Sequence, residues 1–453
     1  MVAPVMTMDA NAANDPTVLI MGLGETGASC ARYFASRGIV AEFFDSREAP
    51  PGVAGVLDIM PDAVIHRGVT EPRLSACIEC VVVSPGVDMN APLLEQARSK
   101  GIRIVSDIDL FVSECLAPIV AITGSNGKST VTTMAGELLE AAGLKVAVGG
   151  NLGVPALDLL DIDADVYALE LSSFQLERSA VIPAAVSVLL NISPDHLDKH
   201  GDMAAYAAAK HKIYAGCQHA VINRDVPELA ALVPGTLPRT TFGLDEPAAG
   251  HIGIRRTARG ECIACGDELL LSVDEMPLLG RHNLSNALAV LAIGAALGAN
   301  LGGMAQALKR FRGLPHRMEL VAEADDVRWI DDSKATNVGA ACMSLAGIED
   351  PFVLIAGGDA KGATFEQLAD ALKGRDGHVV LMGHDAQRMA LELQPVIDVQ
   401  VVDGMAAAVS IASGYADPGY TVLLAPACAS QDMFRDYAAR GRAFRAAIEA
   451  LAK

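Results

Sequence analysis

The sequence predicts an α/β protein of three domains: a Rossmann-like N-terminal domain, a P-loop mononucleotide-binding central domain and a Rossmann-like C-terminal domain. Three observations predict it. Apolar runs closed by glycine or small polar residues alternate with helical stretches almost throughout, the pattern of a parallel sheet covered by helices. Two glycine-rich turns, GLGETG (22–27) and TGSNGKS (123–129), each follow such a run and open a helix. The length, 453 residues, suits roughly three domains of ordinary size.

In chain order, TVLIMGLG reads as a strand, residues 28–37 as a helix, and VAEFFDSR, CVVVSPG and IRIVSD as further strands. A second block opens at APIVAITGSNGKST and continues through strands at KVAVGG, DVYALEL, AAVSVLLNI and HAVIN. Residues 236–275 alternate short strand-like pieces with turns and read as a small antiparallel patch. Helical sequence returns at HNLSNALAVLAIGAALGA. A third block follows FRGLPHRMEL, with strands at VRWI, PFVLIAGG, HVVLMG and YTVLLAPA. The expected domains are 1–107, 108–312 and 313–453.

Composition narrows the function. The formal charge is −20, against a nucleic-acid partner, which selects a basic face. No run approaches the roughly 20 apolar residues of a membrane span. The start, MVAPVMTMDANAAND, lacks a signal peptide's basic flank and apolar core and reads as a short lead-in, so a cytoplasmic protein is expected. Nine cysteines show no regular framework. Two CxxC pairs, Cys77/Cys80 and Cys262/Cys265, lie in different blocks, so free thiols are favoured over a closed four-ligand zinc site.

In TGSNGKS the backbone N–H groups of Thr123, Gly124, Ser125, Asn126 and Gly127 can cradle phosphate, backed by the positive end of the following helix. Lys128 can reach the outer phosphates and Ser129 can ligate magnesium. The loop is shorter than the common motif, with Ile122 where that motif has its first glycine. Magnesium needs hard oxygen ligands nearby. Glu170, ending a neighbouring strand, is a candidate. Asp195, His196 and Asp198 end another; for His196, ligand and bystander are equal readings. Tyr206 and Lys210 share a helix face by i, i+4 spacing; from pattern alone Lys210 is a surface lysine.

GLGETG with Asp45 ending the next strand matches the dinucleotide fingerprint. The run Asp45, Ser46, Arg47 offers an acid and a cation, so the crevice equally suits a nucleotide-sugar. A chain with two nucleotide pockets suggests ATP in one and a nucleotide-tagged substrate in the other. In the third block, Lys334, Thr336, Lys361 and Ser430 follow strand ends and suit a small dicarboxylate. Arg317, in GLPHRME between blocks, can clamp a phosphate across domains.

The motifs AITGSNGKSTVTT, VGGNLG, LELSSFQLE, NISPDHLD, YAAAKHKIY, RHNLSNALA, GLPHRME, DDSKATN and GGDAKG run in order over nearly the whole chain. With them the sequence resembles the Mur ligase family. The resemblance implies an ATP-driven amide ligase of peptidoglycan synthesis, acting as a monomer, that adds D-glutamate to UDP-N-acetylmuramoyl-L-alanine through an acyl phosphate. It implies that Lys128 and Ser129 hold ATP phosphates and one of two magnesium ions. Glu170 and His196 become metal ligands, and Lys210 a carbamylated lysine serving a metal. Asn283, Asn286, His316, Arg317, Asp332 and Lys334 fall on the ATP side. Thr26, Asp45, Ser46, Arg47 and Gly86 fall where UDP is held, with Asn151 and Ser172 on the muramoyl side. Thr336, Lys361, Ser430 and Tyr437 fall where glutamate binds. Three positions depart from the family pattern: Tyr437 stands where Phe is common, Ala425 where Ser is usual and Ala360 where Gly is common. The alternatives are the same chemistry with L-glutamate, a folylpolyglutamate-type ligase, a nicotinamide oxidoreductase and a non-catalytic nucleotide switch or transport ATPase.

Overall fold

The computed structural model describes residues 17–69, 72–231, 233–278, 280–349 and 351–451, leaving out the side chains of Leu197 and Asp198. The lead-in at 1–15 therefore lies outside the described residues.

Among the described residues the backbone forms sheets of five, nine and six strands. The N-terminal sheet is parallel, with Val18–Met21 at its centre between Ala41–Asp45 and Cys80–Val83. Val64–Arg67 and Arg103–Ser106 form its edges. All four residues of Val18–Met21 and of Cys80–Val83 are buried. Such unbroken apolar runs are expected where helices cover both faces of a parallel sheet.

In the central sheet Ile119–Thr123 lies between Val166–Glu170 and Val186–Leu189, all parallel. His219–Asn223 and Arg239–Phe242 extend the sheet in parallel. The 236–275 region departs from expectation here. Arg239–Phe242 is one more parallel strand, and Ile252–Thr257, Gly260–Cys265 and Glu268–Ser272 continue the same sheet as an antiparallel meander. Short strands broken by turns look the same in sequence whether they stand alone or extend a larger sheet.

The C-terminal sheet is parallel through Val327–Asp331, Thr421–Leu424, Phe352–Ala356, Gly377–Leu381 and Asp398–Val401. Glu319–Ala324 adds an antiparallel edge.

The cores show which units are joined. One apolar cluster runs from Phe34 and Phe43, through Phe111 on the helix Asp107–Glu114, to Leu169 and Tyr167 of the central sheet. The buried clusters around the C-terminal sheet contain no residue before Met318. Polar contacts dominate where the C-terminal unit meets the phosphate loop, as in surfaces that allow relative domain motion.

Candidate active site

The buried strand Ile119–Thr123 delivers the phosphate loop, and the helix Lys128–Ala141 begins at its end. Gly127 has φ +81, and a Cβ there would lie 2.6 Å from Asn286 Oδ1, so only glycine fits. Thr123 Oγ1 donates to Leu171 O at 2.6 Å. Ser125 Oγ donates to Ser193 O and meets the Tyr206 hydroxyl, each at 3.0 Å. Asn126 is held from both sides: its N–H donates to Asn191 Oδ1 at 2.9 Å, and Asn191 Nδ2 donates to Asn126 O at 3.1 Å.

Two lysines meet on this loop. Lys128 Nζ donates to Gly124 O at 2.7 Å and Ser125 O at 2.9 Å. Lys210 Nζ donates to the same Gly124 O at 2.8 Å. Lys210 is 1% exposed, which overturns the surface reading. The pattern misled because its helix, Met203–His211, turns Tyr206, Ala209 and Lys210 into the protein. Burial, reinforced by the nearby Lys128 charge, lowers the Lys210 pKa to about 6. The amine is therefore mostly neutral at neutral pH.

Glu170 pairs in register with Ile122 on the adjacent strand. Its Oε1 accepts from Asn151 Nδ2 at 2.7 Å. Its Oε2 is buried with no hydrogen-bond partner. An orphaned carboxylate oxygen beside a phosphate loop fits a hard cation, since buried polar atoms otherwise find partners. His196 sits in the left-handed region at φ 53. Its ring meets Phe174 edge-on at 5.2 Å.

The C-terminal unit closes over the loop. Arg317 Nη2 donates to Ser129 Oγ at 2.8 Å, 188 residues away in sequence. Asp332 accepts from the Ser344 hydroxyl and, at 3.3 Å, from Met318 N–H. Burial raises its pKa to about 6 despite Ser344 and the nearby Arg317 charge. Lys334 Nζ lies 4.0 Å over the Tyr437 ring, and burial followed by the Arg317 charge lowers its pKa to about 8. His316 turns to Asp331, with Nδ1 2.7 Å from Oδ2. It lines neither of the two cavities beside the phosphate loop.

Three cavities gather most of the remaining candidates. One of 350 Å³ is lined by Asn126, Gly127, Asn283, Asn286, Arg317 and Asp332. A second, of 720 Å³, lies between the central and C-terminal units and is lined by His196, Lys334, Thr336, Lys361, Ser430 and Tyr437. Lys334 lines both. The third, a crevice of 960 Å³, is lined by Thr26, Asp45, Ser46, Arg47, Gly86 and Asn151. Ser172 does not line the crevice. It caps the helix Ser173–Arg178 in a reciprocal box with Gln175, and Gln175 faces the crevice instead. Ala360 also lines the second cavity, while Ala425 is fully buried.

The crevice is not arranged as a nicotinamide site. Both Asp45 oxygens are engaged: Oδ2 accepts from Leu23 N–H at 2.8 Å and Arg47 Nη2 at 2.7 Å. Oδ1 accepts from Arg47 N–H and Nε, both at 2.9 Å. Burial pushes the carboxyl pKa up, but these bonds outweigh it and lower it to about 2. An acid already clamped by a guanidinium is poorly placed to take a ribose diol.

Sequence reasoning passed over Asn191, Ser193, Gln175 and Asn337. The motif NISPDHLD contains the first two, beside acids and a histidine with stronger metal-ligand chemistry. The signal for Gln175 was the S-x-x-Q capping spacing. All nine cysteines are free. The group His316, Glu319 and Asp331 brings potential metal-ligand atoms within 4.8 Å of one another, but internal contacts hold it: His316 faces Asp331 and Arg445 Nη2 donates to Glu319 at 2.7 Å.

Comparison with known proteins places the chain. A UDP-N-acetylmuramoylalanine–D-glutamate ligase from Nitrosococcus oceani is 47% identical over 435 residues, covering 95% of this chain and 96% of that one. The chain belongs to the Mur ligase family. A ligase of the same name from Pseudomonas aeruginosa is 44% identical, covering 97% of this chain and 99% of its own. Family models match in three segments: a MurD-like N-terminal domain at 16–106, a Mur ligase middle domain at 122–294 and a Mur ligase glutamate ligase domain at 316–428. The Mur ligase fold itself extends to distant relatives. A UDP-N-acetylmuramate–alanine ligase from Thermotoga maritima superposes with a TM-score of 0.61 at 18% identity, covering 96% of this chain and 99% of that one. A MurF ligase from the same organism, solved with ADP, also gives 0.61, at 17% identity over 91% and 96% of the two chains.

Proposed function

We propose that the chain is an ATP-dependent amide ligase that joins D-glutamate to UDP-N-acetylmuramoyl-L-alanine, a step of peptidoglycan synthesis. One observation carries the reading: side chains beside the phosphate loop link the three cavities. Asn151 lines the N-terminal crevice and bonds Glu170 beside the loop, and Lys334 lines both other cavities. Three ligands can thus present reacting groups to one another. The full-length likeness to D-glutamate ligases supplies the substrates.

A carboxylate is a poor electrophile, so a leaving group is installed first. The alanyl carboxylate attacks the γ-phosphorus of ATP, the bond to the bridging oxygen breaks, and ADP and an acyl phosphate result. The glutamate amine, having lost a proton, adds to the acyl carbon. The tetrahedral intermediate then expels inorganic phosphate and leaves the amide. Phosphoryl transfer needs positioning and charge neutralisation more than covalent help. Lys128 and Arg317 supply the neutralisation, one from each unit. Ser129, Glu170 and His196 would hold magnesium, which would add Lewis-acid charge to the phosphates. Lys210, largely neutral, is the form of lysine that adds carbon dioxide. Its carbamate would give the site a further oxygen donor. The crevice holds the nucleotide-sugar through Thr26, Ser46, Arg47 and Gly86, with Asp45 fixing Arg47 in place. Thr336, Lys361, Ser430 and Tyr437 receive glutamate.

No helix among the described residues is long and apolar enough to cross a membrane. An enzyme supplied with ATP and a UDP-linked substrate works in the cytoplasm.

Phosphate release tests the reading. Purified protein with ATP, magnesium and UDP-N-acetylmuramoyl-L-alanine should release phosphate when D-glutamate is added, and far less with L-glutamate. No release with either enantiomer would overturn it.

A further inference from the structure

The C-terminal unit touches the phosphate loop at a second place, away from Arg317. The helix Val338–Ala346 begins at Asn337, whose Oδ1 accepts from Ala340 N–H at 2.8 Å. That bond caps the helix and fixes which way the amide faces. Its Nδ2 is thereby aimed at the central unit, 3.4 Å from Asn126 Oδ1. Asn126 in turn donates its own amide to Ser193 Oγ at 3.2 Å. The first turn of the helix is pressed onto the same spot. A Cβ at Gly339 would lie 3.2 Å from Ser193 Oγ and 3.3 Å from its Cβ. A side chain there would press on Ser193 and force it to give by a few tenths of an ångström.

We infer that Asn337 is a positioning residue that latches the closed state by tying a helix cap in the C-terminal unit to Asn126 of the phosphate loop. Asn337 and Gly339 line the cavity that His196 and Lys334 share. On the proposed reaction, that cavity is where an acyl phosphate awaits the amine. A loose latch admits water, and the intermediate is hydrolysed before the amide forms. The latch therefore governs coupling: how many phosphates are released per amide made. This consequence rests on the ligase reading; the latch itself does not.

Two measurements on the full-length protein separate latch from cap. Asn337→Ser keeps a capping hydroxyl but is too short to reach Asn126, and Asn337→Ala removes both roles. Gly339→Ala favours the helix but adds the obstructing methyl. In ligand-free protein, Asn337→Ser and Gly339→Ala should raise amide hydrogen exchange over residues 191–195 by about fivefold, the scale of one neutral hydrogen bond. Exchange within 338–346 should stay unchanged in both and rise only in Asn337→Ala. In turnover, phosphate released per amide should exceed one in all three variants and remain one in the wild type. Wild-type exchange over 191–195 in Asn337→Ser overturns the latch whatever the activity. Raised exchange in a protein whose wild type releases no phosphate supports the latch and removes the ligase reading instead.

Discussion

The two glycine loops start alike and end differently. Each follows a buried parallel strand, and each opens a helix. Around the first, the acid that ends the next strand, Asp45, is neutralised by Arg47 two residues on. That loop borders a wide crevice. Around the second, two lysines converge on one carbonyl oxygen, a bare carboxylate oxygen lies nearby, and an arginine arrives from another unit. Glycine spacing specifies a turn able to approach phosphate. Charges brought from distant sequence decide whether the turn holds a ligand or reacts it. On the proposed function, the first loop retains a ligand and the second polarises one.

The sharpest test removes the charge at the second loop. Lys128→Met should cut kcat by about a thousandfold, the scale of losing one charge stabiliser of a transition state. Near-normal turnover would erase the distinction between the loops. Lys210→Ala comes next: activity should fall by about a hundredfold and recover in part with added formate or acetate, which can replace a missing oxygen donor. Rescue is measured as rate against carboxylate concentration, and full activity without it removes the carbamate.

The first loop should answer differently. Arg47→Met should raise KM for the UDP substrate by about tenfold, roughly one lost ionic hydrogen bond, with kcat almost unchanged. Asp45→Asn should lower the melting temperature at neutral pH, read by calorimetry. The folded pKa, about 2, lies below the ordinary aspartate value of 3.8. The carboxylate therefore stabilises the fold above pH of about 4, and that contribution drains away as the pH falls through 2. The melting difference between wild type and variant should shrink over that interval. The smallest effect is expected from Tyr437→Phe. The ring lies under Lys334 and beside His316, so KM for glutamate should shift by less than about twofold, where Tyr437→Ala should shift it by about tenfold.

The sequence was most legible where physics is local. Strands buried on both faces announced themselves as apolar runs. Three strands went unread: Val64–Arg67, Glu319–Ala324 and Asp398–Val401. All lie at sheet edges, where exposed residues such as Glu323 and Asp398 dilute the pattern. Lys210 was illegible from spacing because helical periodicity reports a shared face, not which face is buried; the ordered family motifs carried that residue. Ser172 and His316 lie within motifs, yet one caps a helix and the other turns to Asp331. Asn337 and Asn126, 211 residues apart, could not be paired from one chain, since nothing local links them.

The bond between Arg317 and Ser129 carries a consequence for the order of events. A hydroxyl engaged by a guanidinium is a poorer ligand for an incoming cation, which the same positive charge repels. Loading and closure therefore compete for one oxygen atom. Apparent affinity for the loaded nucleotide is discounted by the fraction of molecules resting shut, so loosening this contact should tighten uptake even while it slows turnover.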